Sequence, residues 1–401
     1  MAVSTDGADL SRHWLLDPDI TFLNHGSFGA CPAPVLDAQL RIREQMEREP
    51  VRFMTQEAPQ LLADARENLG AFIGASPEGL AFVSNVTTGL NAVLRSMPLA
   101  AGDELLVTDH EYNASRNVLD HVAACHGARV VVISIPFPVA SADQISEAVL
   151  KNVTAKTRLA LLDHVTSNTA LVLPMPELIR ELEARGVAVL VDGAHAPGML
   201  ALDIDALAPS YYTGNCHKWV CAPKGAAFLW VREDRRESVR PAVISHGANA
   251  PVPRSERFRA EFDWMGTADP SAALTVPDAI RFLGSLLPGG WNEIRERNHA
   301  LALEGRRLLA DALGAEMPCP DEMIGSMAAI ALPASNRFPI SENSHAFAPN
   351  PLHDALFREH RIEVPLLLDP AGRTHLVRVS AQLYNTRDDY ERLAAALLAL
   401  L

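Results

Sequence analysis

The segment VDGAHAPG, residues 191–198, places two ionisable side chains directly after an apolar run. The run GVAVLV, residues 186–191, has the length and composition of a buried strand, and Asp192 follows it. His195 comes three residues later, with only small residues between. A carboxylate and an imidazole held at such a strand end can stabilise a neighbouring positive charge or move a proton.

Further polar side chains follow other apolar runs of the chain. They are Asn85 to Asn91 after the run 80–84, Tyr112 after 104–108, Asn168 after 158–165, and Asn215, His217 and Lys218 after 210–214. In an open parallel sheet the ligand lies beyond the carboxyl ends of the strands. We therefore expect these side chains to meet Asp192 and His195 in one site.

Lys218 indicates which chemistry this set of side chains can perform. A lysine amine can form a Schiff base, and a carboxylate such as Asp192 can hold a pyridine nitrogen protonated. The hydroxyl-rich helix start at 85–91 can bind a phosphate. An aldehyde, a pyridine nitrogen and a phosphate occur together in pyridoxal phosphate (PLP). The residues therefore predict a PLP site in which His195 faces the phenolate oxygen of the ring.

Each of these residues also has an ordinary interpretation. A lysine past a strand end is usually solvated, the threonines of 85–91 can simply cap a helix, and Asp192 can cap a loop. Asp192 and His195 could also be two metal ligands. No third carboxylate or histidine stands at a fitting spacing, so we expect no metal.

Seven apolar runs predict the sheet that positions these residues. They are LAFVS (80–84), ELLVT (104–108), RVVVISI (129–135), RLALLDHV (158–165), VAVLV (187–191), SYYTG (210–214) and AAFLWV (226–231). Most are continuously apolar, as strands covered on both faces are, and helical patterns separate several of them. The alternation predicts an α/β fold with a mainly parallel, seven-stranded sheet.

The character of the chain changes after about residue 280. Helical patterns, the short strand candidates SMAAIAL and HLVRVS and a terminal helix predict a smaller α+β C-terminal domain. We expect an N-terminal segment 1–20, a large PLP-binding domain 21–275 and a small domain 276–401. The stretch 245–270 is rich in Pro, Gly, Asn and Arg, which predicts a long and functional loop.

The charge of the chain argues against a nucleic-acid partner. Its 401 residues include 35 Lys and Arg against 49 Asp and Glu, a formal net charge of −14, whereas nucleic acids and anionic membranes attract basic surfaces. No apolar run approaches the ~18 residues that a membrane span needs. The five cysteines show no metal-like spacing and predict free thiols, and the start lacks a signal-peptide pattern. We expect a cytoplasmic protein without membrane or nucleic-acid partners.

VDGAHAPG, together with TGNCHKW about 20 residues further on, resembles the class V aminotransferase family, whose members are PLP enzymes of fold type I. The resemblance extends over nearly the whole chain. Within the family, the segments FLNHGSFGACPAPVLDA, DHEY, RIEVP and RVSAQLYNT are similar to the isopenicillin N epimerase subgroup. The resemblance implies a homodimer with shared active sites and a small amino-acid-type substrate.

The resemblance also implies a role for each matching position. The catalytic and substrate-binding positions are Lys218 (Schiff base), Asp192 (ring nitrogen), His195 (phenolate oxygen), Tyr112 (stacking on the ring) and Arg378 (substrate carboxylate). Phosphate contacts are implied for Val86, Thr87, Asn215, His217 and Thr267 of the partner subunit, a place near the phenolate oxygen for Asn168, and the edge of the substrate pocket for Asn24 and His25. Asn215 departs from the serine that relatives often carry there.

Three reactions share the same first steps, and the sequence leaves the choice open. After Lys218 takes the Cα proton, reprotonation on the opposite face gives epimerisation, loss of a Cβ group gives a C–S lyase, and transfer of the amine gives an aminotransferase. Tyr112 is one candidate for the second proton donor of an epimerase. The segment 361–380 lacks the catalytic cysteine of cysteine desulfurases, which disfavours persulfide chemistry. A catalytically silent binding protein is the last alternative, against which the intact Lys218, Asp192 and Arg378 argue.

Overall fold

The computed structural model describes residues 10–340 and 349–401, and its largest element is a seven-stranded sheet. The strands are numbered along the chain, beginning with β1 at Thr21–Phe22. The sheet contains β2 (Leu80–Val83), β3 (Glu104–Thr108), β4 (Arg129–Ile133), β5 (Thr157–Asp163), β6 (Ala188–Gly193), β7 (Tyr211–Asn215) and β8 (Ala227–Val231), in the order β2-β8-β7-β6-β5-β3-β4. All seven predicted strands form, with ends that differ from the predicted ones by at most two residues.

The sheet is mainly parallel, as predicted. β4, β3, β5, β6 and β7 run parallel to one another, whereas β8 is antiparallel to both β7 and β2. β5 and β6 are in register up to their last residues, so that Asp163 lies beside Asp192. The carboxyl ends of these five parallel strands lie at one edge of the sheet, which is where this architecture places ligands.

Apolar clusters cover both faces of the sheet. Leu106, Leu162 and Val189 belong to one buried cluster, and Leu105 and Leu161 belong to the other. Because successive residues of a strand point to opposite faces, burial on both sides requires apolar residues at nearly every position. This double burial explains why the strands appear in the sequence as continuous apolar runs.

Helices account for most of the remaining chain. The α-helices are His25–Phe28, Ala33–Arg48, Pro50–Arg52, Ala58–Ile73, Val86–Ser96, Asn113–His126, Ala142–Leu150, Met175–Ala184, Ile204–Leu207, Arg257–Asp263, Ser271–Leu274, Val276–Gly284, Gly290–Leu313, Pro351–His360 and Arg387–Leu400. Within the two described ranges, no helix combines the length and the apolarity that a membrane span requires.

Local signals set the ends of the helices nearest the ligand edge. Asn85 caps Val86–Ser96, since its Oδ1 accepts a hydrogen bond from the Thr88 N–H at 2.9 Å. The helix Asn113–His126 ends at Gly127, whose φ of 66° is a left-handed conformation that glycine adopts without strain. The N-termini of both helices follow directly on β2 and β3 and lie at the carboxyl edge of the sheet.

The C-terminal part of the chain forms a second, antiparallel sheet. It consists of β9 (Met327–Ala331), β11 (Leu366–Leu368) and β12 (His375–Ser380), in the order β11-β12-β9. The short strand β10 (Ile362–Glu363) instead pairs in parallel with β1, which ties the N-terminal region to this part. The domain boundaries at residues 20 and 275 stay a prediction.

The predicted long loop at 245–270 is partly helical. Two 3₁₀ turns, His246–Asn249 and Arg254–Glu256, precede the helix Arg257–Asp263. Phe258 and Phe262 are one helical turn apart, and both are buried in one cluster of the core. The expectation of an extended loop was wrong for this helix because the composition of the whole stretch obscured the spacing of these two apolar residues.

Candidate active site

A cavity of about 980 Å³ lies at the carboxyl edge of the large sheet. It brings together eleven of the thirteen residues that the sequence predicted for the site. They are Asn24, Val86, Thr87, Tyr112, Asn168, Asp192, His195, Asn215, His217, Lys218 and Arg378. Residues that are up to 354 positions apart in the sequence therefore share one cavity, with Arg378 supplied by β12 of the second sheet.

Two predicted residues lie elsewhere. His25 is fully buried, with Nδ1 2.8 Å from the Tyr384 hydroxyl and Nε2 3.1 Å from the Lys218 carbonyl oxygen. Burial lowers the pKa of His25 to about 3, so the ring is neutral. His25 therefore holds the main chain of Lys218. The sequence predicts it at the edge of the substrate pocket, and the structure places it in the core instead. Thr267 is exposed, and its contact with the phosphate of a partner subunit stays a prediction.

Lys218, His195, His217 and Arg378 form what we call the basic cluster. Lys218 Nζ lies 3.1 Å from His195 Nε2, and the indole N–H of Trp219 is directed at His195 Nδ1 at 3.4 Å. An indole nitrogen can only donate, so His195 Nδ1 accepts and the proton of the neutral ring resides on Nε2. That N–H then points at the lone pair of a neutral Lys218 amine.

The pKa values of this pair agree with the geometry. Burial, and then the charge of Arg378, lower the pKa of Lys218 to about 7. Burial and the charge of Lys218 lower the pKa of His195 well below its ordinary value. A buried amine loses charge because desolvation disfavours the ammonium form. Lys218 is therefore available as a nucleophile and as a base near neutral pH.

Arg378 is a buried cation with an unused donor. Its Nη1 donates to the Ser167 carbonyl oxygen at 2.6 Å and its Nη2 to Ser27 Oγ at 3.0 Å. Its Nε is buried and has no hydrogen-bond partner among residues 10–340 and 349–401. Burial lowers the pKa of Arg378 only to about 10, so the guanidinium stays charged at neutral pH. A carboxylate bound in the cavity could satisfy this donor and balance the charge.

The start of the helix Val86–Ser96 also lines the cavity. The Val86 N–H donates to Asn215 Oδ1 at 3.1 Å, which ties this helix to the end of β7. His217 Nδ1 lies 3.0 Å from the Ala226 carbonyl oxygen, and burial lowers the pKa of His217 to about 4. A helix N-terminus is suited to a phosphate. Asn215, whose Oδ1 accepts from the Val86 N–H, has amide N–H groups that can donate beside it.

Three carboxyl groups, Glu111, Asp163 and Asp192, form what we call the acidic cluster. One oxygen of each lies within 4.8 Å of the others. Asp192 Oδ2 accepts from the Ser115 hydroxyl at 2.9 Å, and Oδ1 accepts from the Ala194 N–H at 3.0 Å. Burial raises the pKa of all three groups, and the charge of Asp192 raises the pKa of Glu111 and Asp163 further.

Reasoning from the sequence missed two members of the acidic cluster. It found no further carboxylate at a fitting spacing from Asp192, whereas the fold supplies Asp163 from β5 and Glu111 from the segment after β3. The sequence pattern carries no signal for Asp163, because this residue stands inside the apolar run 158–165 and lies beside Asp192 only through the pairing register of β5 and β6.

The residues of the cavity fit the predicted cofactor. Lys218 offers an amine for an aldehyde, buried Asp192 offers an oriented carboxylate for a ring nitrogen, and the start of Val86–Ser96 faces the same space. Arg378, which lines the cavity, adds a guanidinium cation for a substrate carboxylate. The set therefore has a separate group for each part of PLP and for an amino-acid substrate.

Comparison with known proteins gives concordant matches. The family model described as aminotransferase class-V matches residues 29–338. The chain is 38% identical to an isopenicillin N epimerase of Amycolatopsis lactamdurans, over 99% of both sequences. It is 32% identical to a probable chloroplastic L-cysteine desulfhydrase of Arabidopsis thaliana, over 98% of this chain and 85% of that protein.

A solved structure has the same fold. A C-DES variant with glycine covalently linked to its PLP cofactor superposes with a TM-score of 0.78, covering 100% of both chains at 21% identity. At that level of identity the match establishes the fold, which is the predicted fold type I.

Proposed function

The chain belongs to the class-V aminotransferase family, and from this premise we propose that it is a PLP-dependent enzyme acting at the Cα atom of an amino acid or an amino-acid-derived substrate. The proposal rests above all on Lys218, whose amine lies 3.1 Å from His195 in the cavity that Asp192 and Arg378 also line. PLP, when bound, supplies an aldehyde for the substrate amine and a ring that withdraws electrons from Cα.

Lys218 is the residue proposed to move the Cα proton. Its lowered pKa of about 7 leaves much of the amine neutral at neutral pH, so that it can take a proton from carbon. Neutral His195 holds Lys218 Nζ in place through its Nε2. The Lys218 carbonyl is fixed by His25, so both ends of the residue are positioned.

Asp192 and Arg378 are proposed to orient the two partners of the reaction. Asp192 is only 2% exposed, and two hydrogen bonds fix its carboxylate, which can hold a protonated ring nitrogen. Arg378 would bind the substrate carboxylate, and Asn24 is held beside the cavity by Glu363 at 2.8 Å. Binding of the substrate carboxylate by Arg378, with Asn24 fixed beside the cavity, would help to place Cα within reach of Lys218.

The reaction that we favour is epimerisation. The support is the identity of 38% with an isopenicillin N epimerase over nearly the whole chain. An epimerase needs a second proton donor on the other face of Cα. Tyr112 lines the cavity together with Lys218 and Arg378, and its hydroxyl can donate a proton. We propose Tyr112 for this role.

The second candidate is a C–S lyase. Relatives named as L-cysteine desulfhydrases match over nearly the whole chain at 32% identity. The two reactions share Lys218, Asp192 and Arg378 and diverge only in the fate of the Cβ group. A homodimer in which Thr267 reaches the partner's cofactor and a cytoplasmic location are further proposals, supported by the family resemblance and by the cysteine content.

Incubation of the PLP-loaded protein in D₂O with single L-amino acids, or with amino-acid-derived compounds that keep a free α-amine, tests the proposed function. Deuterium at Cα, detected by NMR or mass spectrometry, is expected for at least one substrate. Chiral analysis identifies an epimerase by a D-product that carries deuterium, and release of sulfide with a keto acid identifies a lyase. Protein that binds PLP yet exchanges the Cα proton of no amino acid would contradict the proposal.

A further inference from the structure

The acidic cluster contains two oxygens that no ordinary donor satisfies. Glu111 Oε2 and Asp163 Oδ2 are buried and lack an N–H or O–H partner among the described residues. One carboxyl oxygen of each of Glu111, Asp163 and Asp192 lies within 4.8 Å of the others. Ionised carboxylates are acceptors only, so buried ones at this distance repel each other and leave these oxygens without a donor. A single proton between Glu111 and Asp163 would supply the missing donor and remove one charge.

We propose that Glu111 and Asp163 share a proton and act as positioning residues that leave Asp192 as the ionised carboxylate facing the cofactor ring. This inference deepens the proposed function and rests on it for the role of Asp192. It assigns to Glu111 and Asp163 a task that needs no contact with the cofactor.

The contacts of the three groups determine which of them is ionised. Burial raises the pKa of Asp192, but its two oxygens accept hydrogen bonds from Ser115 Oγ and the Ala194 N–H, which oppose that rise. Asp163 Oδ2 and Glu111 Oε2 have no donor among the described residues, whereas Glu111 Oε1 accepts one hydrogen bond from the Tyr112 N–H at 3.2 Å. Hydrogen bonds from neutral donors stabilise a carboxylate, and a buried carboxyl without them keeps its proton.

The surrounding charges favour the same arrangement. The ionised Asp192 raises the pKa of both Glu111 and Asp163, and burial raises it further. Two other titratable groups face the cluster. They are Lys218, whose pKa Asp192 and Asp163 raise, and Tyr212, whose own raised pKa keeps it neutral. With one shared proton, the cluster avoids a third buried negative charge beside Asp192.

Infrared spectroscopy of the PLP-loaded protein in D₂O at neutral pH tests the proposal. A protonated carboxyl has a carbonyl-stretching band that a carboxylate lacks. We expect this band in the wild type and its loss in both Glu111→Gln and Asp163→Asn. Either amide can donate an N–H to the facing oxygen, so the remaining carboxyl no longer needs the proton.

A matched control variant is Glu104→Gln. Glu104 is also a buried acid, 4% exposed, but its hydrogen bonds to Thr154 and Arg129 lower its pKa. This variant should leave the band unchanged. A wild-type band that survives in both cluster variants, or no band at all, would overturn the proposal. A band that appears only when divalent cations are chelated would show that the cluster holds a metal instead.

A second measurement needs no assignment of bands. A carboxyl with a raised pKa holds in the folded state a proton that the unfolded chain releases above its ordinary pKa of about 4, so stability falls as pH rises. Urea unfolding of the PLP-loaded protein gives the equilibrium constant of unfolding of the wild type and of Glu111→Gln. The ratio of the wild-type constant to the variant constant should increase up to about tenfold per pH unit above pH ~4. The same ratio for Glu104→Gln should stay flat. A flat ratio for Glu111→Gln would contradict a shared proton.

The outcomes separate this inference from the proposed function. The band and the pH dependence of unfolding report the proton of Glu111 and Asp163 whether or not a substrate reacts. Loss of Cα exchange with the band intact would count against the function alone. Exchange with no protonated carboxyl would count against the shared proton alone.

Discussion

The acidic cluster, through Asp163 and Asp192, and the basic cluster line one cavity, and burial shifts the pKa values of their groups in opposite directions. In the acidic cluster burial raises the pKa of Glu111 and Asp163 and keeps protons on carboxyl groups. In the basic cluster it lowers the pKa of Lys218 to about 7 and removes protons from amines and imidazoles. Both shifts move a group toward its neutral form, as desolvation requires.

The exceptions to this neutralisation are the informative residues. Asp192 has hydrogen-bond donors from Ser115 and Ala194 that stabilise its ionised form, and Arg378 has an intrinsic pKa too high for burial to discharge it. Asp192 and Arg378 thus stay charged in the cavity although both side chains are buried. In the proposed function, the negative charge of Asp192 faces the cationic ring nitrogen and the positive charge of Arg378 faces the substrate carboxylate.

Removing the anion should have the largest effect. Asp192→Ala should slow Cα-proton exchange on the order of 10²-fold or more, because the ring then lacks the carboxylate that keeps its nitrogen protonated. Asp192→Glu should be milder, since it keeps the charge. Deuterium incorporation in D₂O measures both, with Glu104→Gln as the buried-acid control. An exchange rate of Asp192→Ala close to that of the wild type would remove Asp192 from the mechanism.

Replacing the cation should have a smaller and substrate-dependent effect. Arg378→Lys keeps the charge and loses the two-pronged geometry, which costs about 1.5–3 kcal/mol, or roughly 10- to 150-fold in affinity. The loss should appear for amino acids and not for the corresponding amines that lack a carboxylate. Binding titrations of such pairs provide the measurement. Equal losses for both members of a pair would make Arg378 a structural residue.

The neutral state of Lys218 can be tested by the pH dependence of cofactor attachment. Only the neutral amine reacts, so the rate of PLP attachment to the apoprotein should rise about tenfold per pH unit below the Lys218 pKa and level off above about 7. Arg378→Gln should move the midpoint to higher pH, because the charge of Arg378 lowers the pKa of Lys218. Absorbance after rapid mixing follows the rate. A rise that continues toward the ordinary lysine pKa of about 10.4 would contradict a lowered pKa.

Thr267 should give the smallest effect. If it donates one hydrogen bond to the partner's cofactor phosphate, Thr267→Ala should weaken PLP binding by about 0.5–3 kcal/mol. Mixed dimers of Lys218→Ala and Thr267→Ala chains then contain one site with both defects and one with neither, so activity should partly recover. Dimers that exchange chains without any recovery would show that the site is not shared through Thr267.

The sequence predicted the fold and most of the site for a simple reason. Strands buried on both faces must be apolar at every position, and in a parallel sheet the residues after each strand meet. These two rules located Asp192, Asn215 and Lys218 correctly in the cavity. They require no knowledge of how side chains pack.

What the sequence could not predict depends on side-chain direction. Asn24 and His25 are adjacent, yet Asn24 lines the cavity and His25 turns into the core toward Tyr384. Asp163 was included in an apolar strand, although its register with Asp192 makes it part of the acidic cluster. Pairing register and the turn of a short helix arise from contacts between distant segments, which neither periodicity nor composition contains.

Covalent trapping tests the central assignment, Lys218, most directly. The chain has lysines at positions 151, 156, 218 and 224, and Lys224 also lines the cavity, where its Nζ donates to the Gly29 carbonyl oxygen at 3.0 Å. Borohydride reduction of the PLP-loaded protein, followed by peptide mass mapping, should place the cofactor on Lys218 in the wild type and in Lys224→Ala. Lys218→Ala should carry no label. A label on Lys224, or one that persists in Lys218→Ala, would contradict this account.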